Sequence, residues 1–180
     1  IKYITSVYTT HRLDMMLYGY VTKFNNIYLI AVSKNTKKEL VEAGIQDNKI
    51  FSILNGVDKE RFKPMNKDYA KTLVEELFGV KLKDKMLLHV NPGPRKGTHI
   101  IMKAVAILKR IYGGNLTLLI VGRLGPKSYR GYVEGMRRSL DLERDVAMLG
   151  YVEDEKLPTL YNAADLTIVP SYSEGAPLVI

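Results

Sequence analysis

The chain contains no cysteine. Without thiols there is no disulfide scaffold, no thiolate nucleophile and no cysteine-ligated zinc or iron–sulfur centre. Its three histidines, His11, His89 and His99, stand apart, which argues against a histidine-rich metal site. No uninterrupted apolar run approaches the ~18 residues that a membrane span requires. No secretory signal is visible, and with the missing cysteine this makes the cytosol the expected location.

What is present suits a folded domain. Hydrophobic residues make up 46% of the 180 and charged residues 26%, fractions that exclude disorder by composition. The length accommodates one domain, or one domain and part of another. The chain opens at Ile1 inside an apolar stretch. It closes on Pro177-Leu178-Val179-Ile180, which reads as the first turn of a helix. It is therefore expected to be a fragment of a longer protein.

The formal net charge of +8 is unevenly spread. The excess lies around Lys59–Lys85 and Arg95–Arg123, and the last third is net acidic. Such a basic region attracts anions: nucleic acid, acidic lipid headgroups or a nucleotide diphosphate. A solvated lysine-rich face accounts for many of these residues equally well, because they alternate with acidic and apolar ones.

Short β-rich runs alternate with segments of helical spacing. Strands are expected at Tyr3–Thr9, Ile27–Val32, Ile50–Leu54, Met86–Val90, Leu116–Val121, Val146–Leu149 and Leu166–Val169. Helices are expected at Arg12–Phe24, after a Ser33 cap as far as Ala43, at Asp68–Phe78, at Ile100–Tyr112 behind a Thr98 cap, at Ser128–Leu140 and at Asp154–Ala164. Strands apolar at every position are covered on both faces. Their alternation with helices defines an α/β fold with a Rossmann-like, doubly wound parallel sheet. Ligands bind such sheets beyond the carboxyl ends of the strands. The loops at 91–97, 122–127, 150–154 and 171–177 are thus the places for chemistry. The best domain boundary falls at Asn55–Pro64, a charged, turn-prone stretch.

Asn91-Pro-Gly-Pro-Arg95-Lys96-Gly97-Thr98 follows a strand and opens a helix. Two cations beside the free N–H groups of a helix N-terminus can hold phosphate oxygens. An ordinary strand–helix loop with exposed cations explains the same residues, and both readings stay open. The segment matches neither the P-loop nor the Gly-x-Gly-x-x-Gly pattern, so neither ATP hydrolysis nor NAD binding finds support. In Pro170-Ser-Tyr-Ser-Glu174-Gly175-Ala176-Pro177, Glu174 could accept hydrogen bonds from sugar hydroxyls. Taken alone, it is better explained as a capping carboxylate. His11, after the first strand, has the residue type for acid–base work, but a packing or surface role is the simpler explanation. His89 is expected in the core and His99 in solvent.

These pieces, in this order, resemble the retaining family-four glycosyltransferases. The resemblance rests on Ala31-Val-Ser33 leading a helix, Asn55-Gly-Val-Asp58 with Phe62 and Pro64, and Lys96-Gly97 opening a helix. It continues through Leu119-Ile-Val-Gly122, Leu149-Gly-Tyr-Val152, Leu160-Tyr161 with Ala164-Asp165, and Pro170-Ser171 with Glu174-Gly175. It covers nearly the whole chain. It implies the GT-B fold, two Rossmann-like domains facing across a cleft. Residues 1–56 would end the N-terminal, acceptor-side domain, and residues 57–180 would form most of the C-terminal donor-binding domain.

The resemblance also implies roles. Lys96 matches the lysine that contacts the donor diphosphate. Glu174 matches the acid that binds the transferred sugar, with the Gly175 and Ala176 amides facing that sugar or its phosphate. Tyr151 and Val152 lie where relatives contact the base through the backbone. His11 matches a histidine near the reaction centre, and Gly122 and Arg123 lie beside the nucleotide region. The arginine usual five residues before the lysine is here Asn91, and Arg95 can supply the charge from a different point on the loop. A second acid of the family motif would fall two residues beyond Ile180.

The implied reaction is transfer from a UDP-, GDP- or ADP-linked sugar to a saccharide or lipid-linked acceptor, with retention at the anomeric carbon. It needs no metal and no cofactor, the nucleotide sugar being a substrate. The fragment alone is expected to be inactive, and the whole enzyme to be cytoplasmic, at the inner face of the membrane where the acceptor is a lipid. Leu13, Met16, Leu17 and Tyr20 form one apolar face of a helix. That face suits a membrane surface, and suits packing inside a domain better. A GT-B sugar-nucleotide epimerase is the alternative enzyme. A basic nucleic-acid-binding module is the alternative outside enzymology, disfavoured because no interleaved aromatic platform is visible.

Overall fold

A computed structural model describes residues 3–7 and 12–178. They form two compact units. The first runs to Val57 and takes in Ser173–Leu178; the second is Asp58–Tyr172. Among the described residues, no helix is long and apolar enough to cross a membrane.

The first unit comprises β1 (Tyr3–Val7), α1 (Arg12–Val21), β2 (Ile27–Ala31), α2 (Lys34–Glu42) and β3 (Ile50–Ser52). The strands are parallel in the order β1-β2-β3. Ser33 caps α2 as expected, its Oγ accepting the Thr36 N–H at 3.0 Å. Leu29, Ala31, Leu40, Ile45 and Ile50 form the core, with Met15 and Tyr18 packed against it. Two elements are shorter than the sequence pattern suggests. Helix α1 stops at Val21 rather than Phe24: the Thr22 amide and hydroxyl both donate to the Tyr18 carbonyl, at 3.0 and 2.7 Å, and the next amides tighten onto i−3 carbonyls, Lys23 to Tyr20 and Phe24 to Val21, each at 3.2 Å. Strand β3 stops at Ser52, although the Ile53 N–H still donates to the Ala31 carbonyl at 3.0 Å; Ile53 and Leu54, though apolar, are exposed.

The second unit holds α3 (Lys67–Phe78), β4 (Lys85–Val90), α4 (Thr98–Tyr112), β5 (Leu116–Val121), α5 (Lys127–Ser139), β6 (Val146–Gly150), α6 (Leu157–Ala163) and β7 (Leu166–Thr167). Its four parallel strands are ordered β6-β5-β4-β7. Strand β5 is buried along its whole length, and its side chains alternate between two cores. Leu118 and Ile120 gather with Ile101, Met102 and Val105 of α4. Leu119 and Val121 gather with Ala70 and Val74 of α3 and Leu160 and Ala163 of α6. Each such fully buried aliphatic side chain contributes about 1.5–3 kcal/mol. Helices therefore cover both faces, as a doubly wound sheet requires.

Strand β4 is central. From it the chain winds outward through β5 to β6, then returns by α6 to place β7 on the other side. The winding direction thus reverses between β4 and β7, and the crevice of the sheet opens there.

Proline and ring chemistry explain the shorter elements here. Pro158 has no N–H and sits at the start of α6, so a separate 3-10 turn, Asp154–Lys156, precedes the helix. Strand β7 pairs only at Leu166 and Thr167. The Ile168 N–H still donates to Leu88 at 2.8 Å, but the Ile168 carbonyl is taken by an imidazole and Pro170 has no N–H to offer.

Candidate functional site

The site is built where the winding reverses. After β4 the backbone turns on Asn91, a non-glycine residue with φ of 60°. The Asn91 N–H donates to Val121 at 2.8 Å, which fastens this loop to the end of β5. Gly93 then opens a tight turn, accepting the Lys96 N–H at 3.2 Å, and Gly97 at φ 68° leads into α4. Arg95 and Lys96 therefore sit on the turn that precedes the N-terminus of a fifteen-residue helix. Arg95 is exposed and Lys96 half-buried.

Thr98 is not the cap that the sequence suggests. Gly97 occupies the cap position without any side-chain bond, and Thr98 is the first helical residue. Its hydroxyl is buried and turned inward. There it accepts the Gly93 N–H at 2.9 Å and lies 2.9 Å from His89 Nε2. His89 is a core residue, as expected from its strand. Burial pushes its pKa down and the Lys96 charge pushes the same way, against the bond to Ile168.

The loop after β7 closes on the same turn. The Tyr172 N–H donates to the Arg95 carbonyl at 3.0 Å. His99 does not face open solvent. Its ring stacks on Tyr172 with centroids 6.0 Å apart, and its Nε2 lies 3.1 Å from the Tyr172 hydroxyl. Tyr129 and Tyr132 of α5 close the cluster edge-on.

The ends of β5 and β6 supply a second set of residues. Gly122, at φ 118°, donates its N–H to Gly150 at 2.6 Å. A Cβ there would stand 2.8 Å from Pro92 Cδ, so the absence of a side chain lets the loops meet. The exposed Arg123 guanidinium lies over the Tyr151 ring, 5.6 Å from its centroid. Val152, the next residue, is buried. A cleft of about 330 Å³ opens between these strand ends and α5, lined by Gly122, Leu124, Arg130, Glu134 and Gly150.

Asn91, Arg95, Lys96, Gly122, Arg123, Tyr151 and Val152 thus all lie at the carboxyl end of the second unit's sheet. Glu174, Gly175 and Ala176 belong to the first unit, where the Asn55 side-chain amide donates to the Ala176 carbonyl at 3.4 Å. No helix starts at 174–178. His11 lies outside the described residues. Among those residues, no group of three or more His, Cys, Asp or Glu could hold a metal ion. The His89–Thr98 pair was missed by the sequence reading. Its one signal was a histidine inside an otherwise apolar strand.

Comparison with known proteins agrees with this architecture. The family profile "Glycosyl transferases group 1" matches residues 74–180, and the chain belongs to that family. An uncharacterized glycosyltransferase of Methanocaldococcus jannaschii is 28% identical over 163 residues, covering 89% of this chain and 40% of the relative. A D-inositol 3-phosphate glycosyltransferase of Nocardiopsis dassonvillei is 32% identical over 158 residues, covering 84% of this chain and 36% of the relative. The chain therefore spans less than half the length of these relatives. Among solved structures, the Anabaena HepE protein in complex with UDP and glucose superposes with a TM-score of 0.80 at 21% identity, over 96% of this chain and 47% of that one. WaaG, a glycosyltransferase involved in lipopolysaccharide biosynthesis, superposes with a TM-score of 0.72 at 18% identity, over 96% and 51%. The α/β architecture with parallel sheets is that of GT-B glycosyltransferases.

Proposed function

We propose that this chain holds the donor-binding part of an enzyme that transfers a hexose from a nucleotide sugar to an acceptor, with retention of anomeric configuration and without a metal. The observation that carries the reading is the Arg95-Lys96 turn at the reversal point of the sheet, beside the N-terminus of α4. Fixed cations and helix amides there suit a diphosphate. As the glycosidic bond breaks, negative charge grows on the leaving diphosphate. Lys96 and Arg95 stabilise that charge in the transition state, the task a divalent cation performs in other enzymes.

The other roles extend this reading. Tyr151 and Val152 hold the base through their backbone, with Gly122 and Arg123 beside it. Glu174 binds the transferred sugar, and the Gly175 and Ala176 amides face it. Asn91 stands where an arginine is usual, and Arg95 takes over its charge. His11 works near the reaction centre. Residues 1–56 end an acceptor-side domain, and residues 57–180 form most of the donor domain, although Val57 and Ser173–Leu178 cluster with the first unit. No cofactor takes part. The acceptor is a saccharide or a lipid-linked saccharide, and the enzyme works in the cytoplasm, at the inner membrane face for a lipid acceptor. Anabaena HepE was solved with UDP and glucose, which supports the nucleotide-sugar class. Because the chain spans less than half of its relatives, residues 1–180 alone should bind donor without transferring sugar.

The test is calorimetric titration of the chain with UDP, GDP and ADP at low and high salt, alongside Lys96→Ala. Selective binding of one nucleotide, weakened at least tenfold (about 1.4 kcal/mol) in the variant, is the expected result. Equal, weak binding of all three that vanishes with salt would reduce the site to a basic patch.

A further inference from the structure

His89 is the anomaly of the sheet. It sits in the central strand, 1% exposed, where a leucine or valine would pack at less cost. A buried imidazole is tolerated only when both ring nitrogens are paired. Here both are. Nδ1 lies 3.0 Å from the Ile168 carbonyl. A carbonyl can only accept, so Nδ1 carries the proton. Nε2 is then an acceptor, and the Thr98 hydroxyl donates to it at 2.9 Å rather than to the Gly93 carbonyl at 3.3 Å, because the longer choice would leave the buried Nε2 unpaired. With its proton so directed, the Thr98 oxygen accepts the Gly93 N–H at 2.9 Å.

The result is a directed chain of hydrogen bonds. It runs from the Gly93 amide through Thr98 and His89 to the end of β7. Gly93 is held at both ends, because its carbonyl accepts the Lys96 N–H at 3.2 Å. Two further links join the same segments: Tyr172 N–H to Arg95, and the close approach of Gly97 to Pro170. The turn bearing Arg95 and Lys96 is therefore fastened from beneath by a buried polar network, not only by its own backbone. A depressed pKa keeps His89 neutral, which the acceptor role of Nε2 requires.

We propose that His89 and Thr98 are positioning residues for anion recognition. They hold the Gly93–Lys96 turn in the shape that presents its cations and amides to a diphosphate, without touching the ligand themselves. The inference rests on the diphosphate reading of this turn.

The test uses the whole chain, pyrophosphate, and the nucleoside diphosphate that binds best with its parent nucleoside. Thr98→Val keeps the shape and removes the hydroxyl; Thr98→Ser keeps the hydroxyl. Thr98→Val should weaken nucleoside diphosphate and pyrophosphate about tenfold, Thr98→Ser should stay within about threefold, and nucleoside affinity should be unchanged. A second measurement needs no variant. In nitrogen-labelled wild-type protein, saturation with the diphosphate should shift the Gly93 amide and the His89 ring resonances. Wild-type protein that binds no diphosphate overturns the functional reading, and this inference with it. Wild-type binding that Thr98→Val leaves intact, loss of nucleoside and diphosphate affinity alike, or unmoved Gly93 and His89 resonances overturns the positioning role alone.

Discussion

Gly97 and Pro170 meet backbone to backbone. A Cβ built on Gly97 would overlap the Pro170 carbonyl oxygen and stand 3.1 Å from its carbonyl carbon. Gly97 also holds a φ of 68°, a conformation that side chains other than glycine's adopt at a cost. The turn after β4 and the end of β7 can approach only because this residue has no side chain.

Gly97→Ala should therefore be costly in two ways. Backbone cannot swing aside as a lysine tip can, so one segment must move. We expect a loss of about 2–4 kcal/mol in unfolding free energy, read by denaturant titration, together with loss of diphosphate binding. Retention of both stability and binding would show that the two loops tolerate separation.

At the opposite end of the sheet, Asp145 is buried just before β6, with a side chain 2% exposed. Lys83 and Lys109 both pair with it, Lys109 at 3.0 Å from Oδ2, and Lys83 also donates to the Gly114 carbonyl at 2.7 Å. Burial raises the Asp145 pKa, but the two lysines outweigh it and hold the group below its usual value. Asp145→Ala removes the anion around which the starts of β4, β5 and β6 gather. It should destabilise the chain by about 2–4 kcal/mol without changing nucleotide affinity in the folded fraction. Thermal melts paired with calorimetry separate the two effects.

Asp165 makes acid stability predictable. Burial raises its pKa, but the Met86 N–H at 2.8 Å and the ammonium groups of Lys67 and Lys71 outweigh burial, leaving it at about 2 against 3.8 unfolded. A depressed acid stabilises fully above its unfolded pKa. That contribution, screened by solvent to about 1 kcal/mol, fades as pH falls from 3.8 toward 2. Asp165→Asn should flatten the stability profile over this window, measured by urea unfolding between pH 5 and about pH 2.

The Arg123–Tyr151 pair tests the base site separately from the phosphate site. Tyr151→Ala removes an exposed ring that lies under a guanidinium. Affinity for the preferred nucleotide should fall about fivefold, while pyrophosphate affinity stays as it was. A parallel loss for pyrophosphate would mean that Tyr151 supports the whole loop.

Much of the fold could be read along the chain. Leu116–Val121 is apolar at every position but Thr117, as a strand covered on both faces would be, and the structure buries all six residues. Ser33 was legible as a cap because its short hydroxyl reaches back to a nearby amide. Thr98 carried the same local signal and was misread. A competing acceptor, the His89 ring, lies nine residues away in sequence and becomes a neighbour only through folding. His99 was misread for the same reason, since the tyrosines that enclose it come from α5 and the loop after β7.

By itself, the sequence determined the alternation of strands and helices, the layered class of fold and the family, because periodicity, caps and short motifs are local properties of the chain. It also determined that Arg95 and Lys96 precede a helix. Tertiary structure decided where β7 inserts, and hence that the winding reverses beside β4. It decided that Gly97 must be bare, that Asn91 turns left-handed, and that a buried histidine holds the turn from below. The physical reason is the same in each case. Register, close approach and the pairing of buried polar groups depend on which distant segments become neighbours.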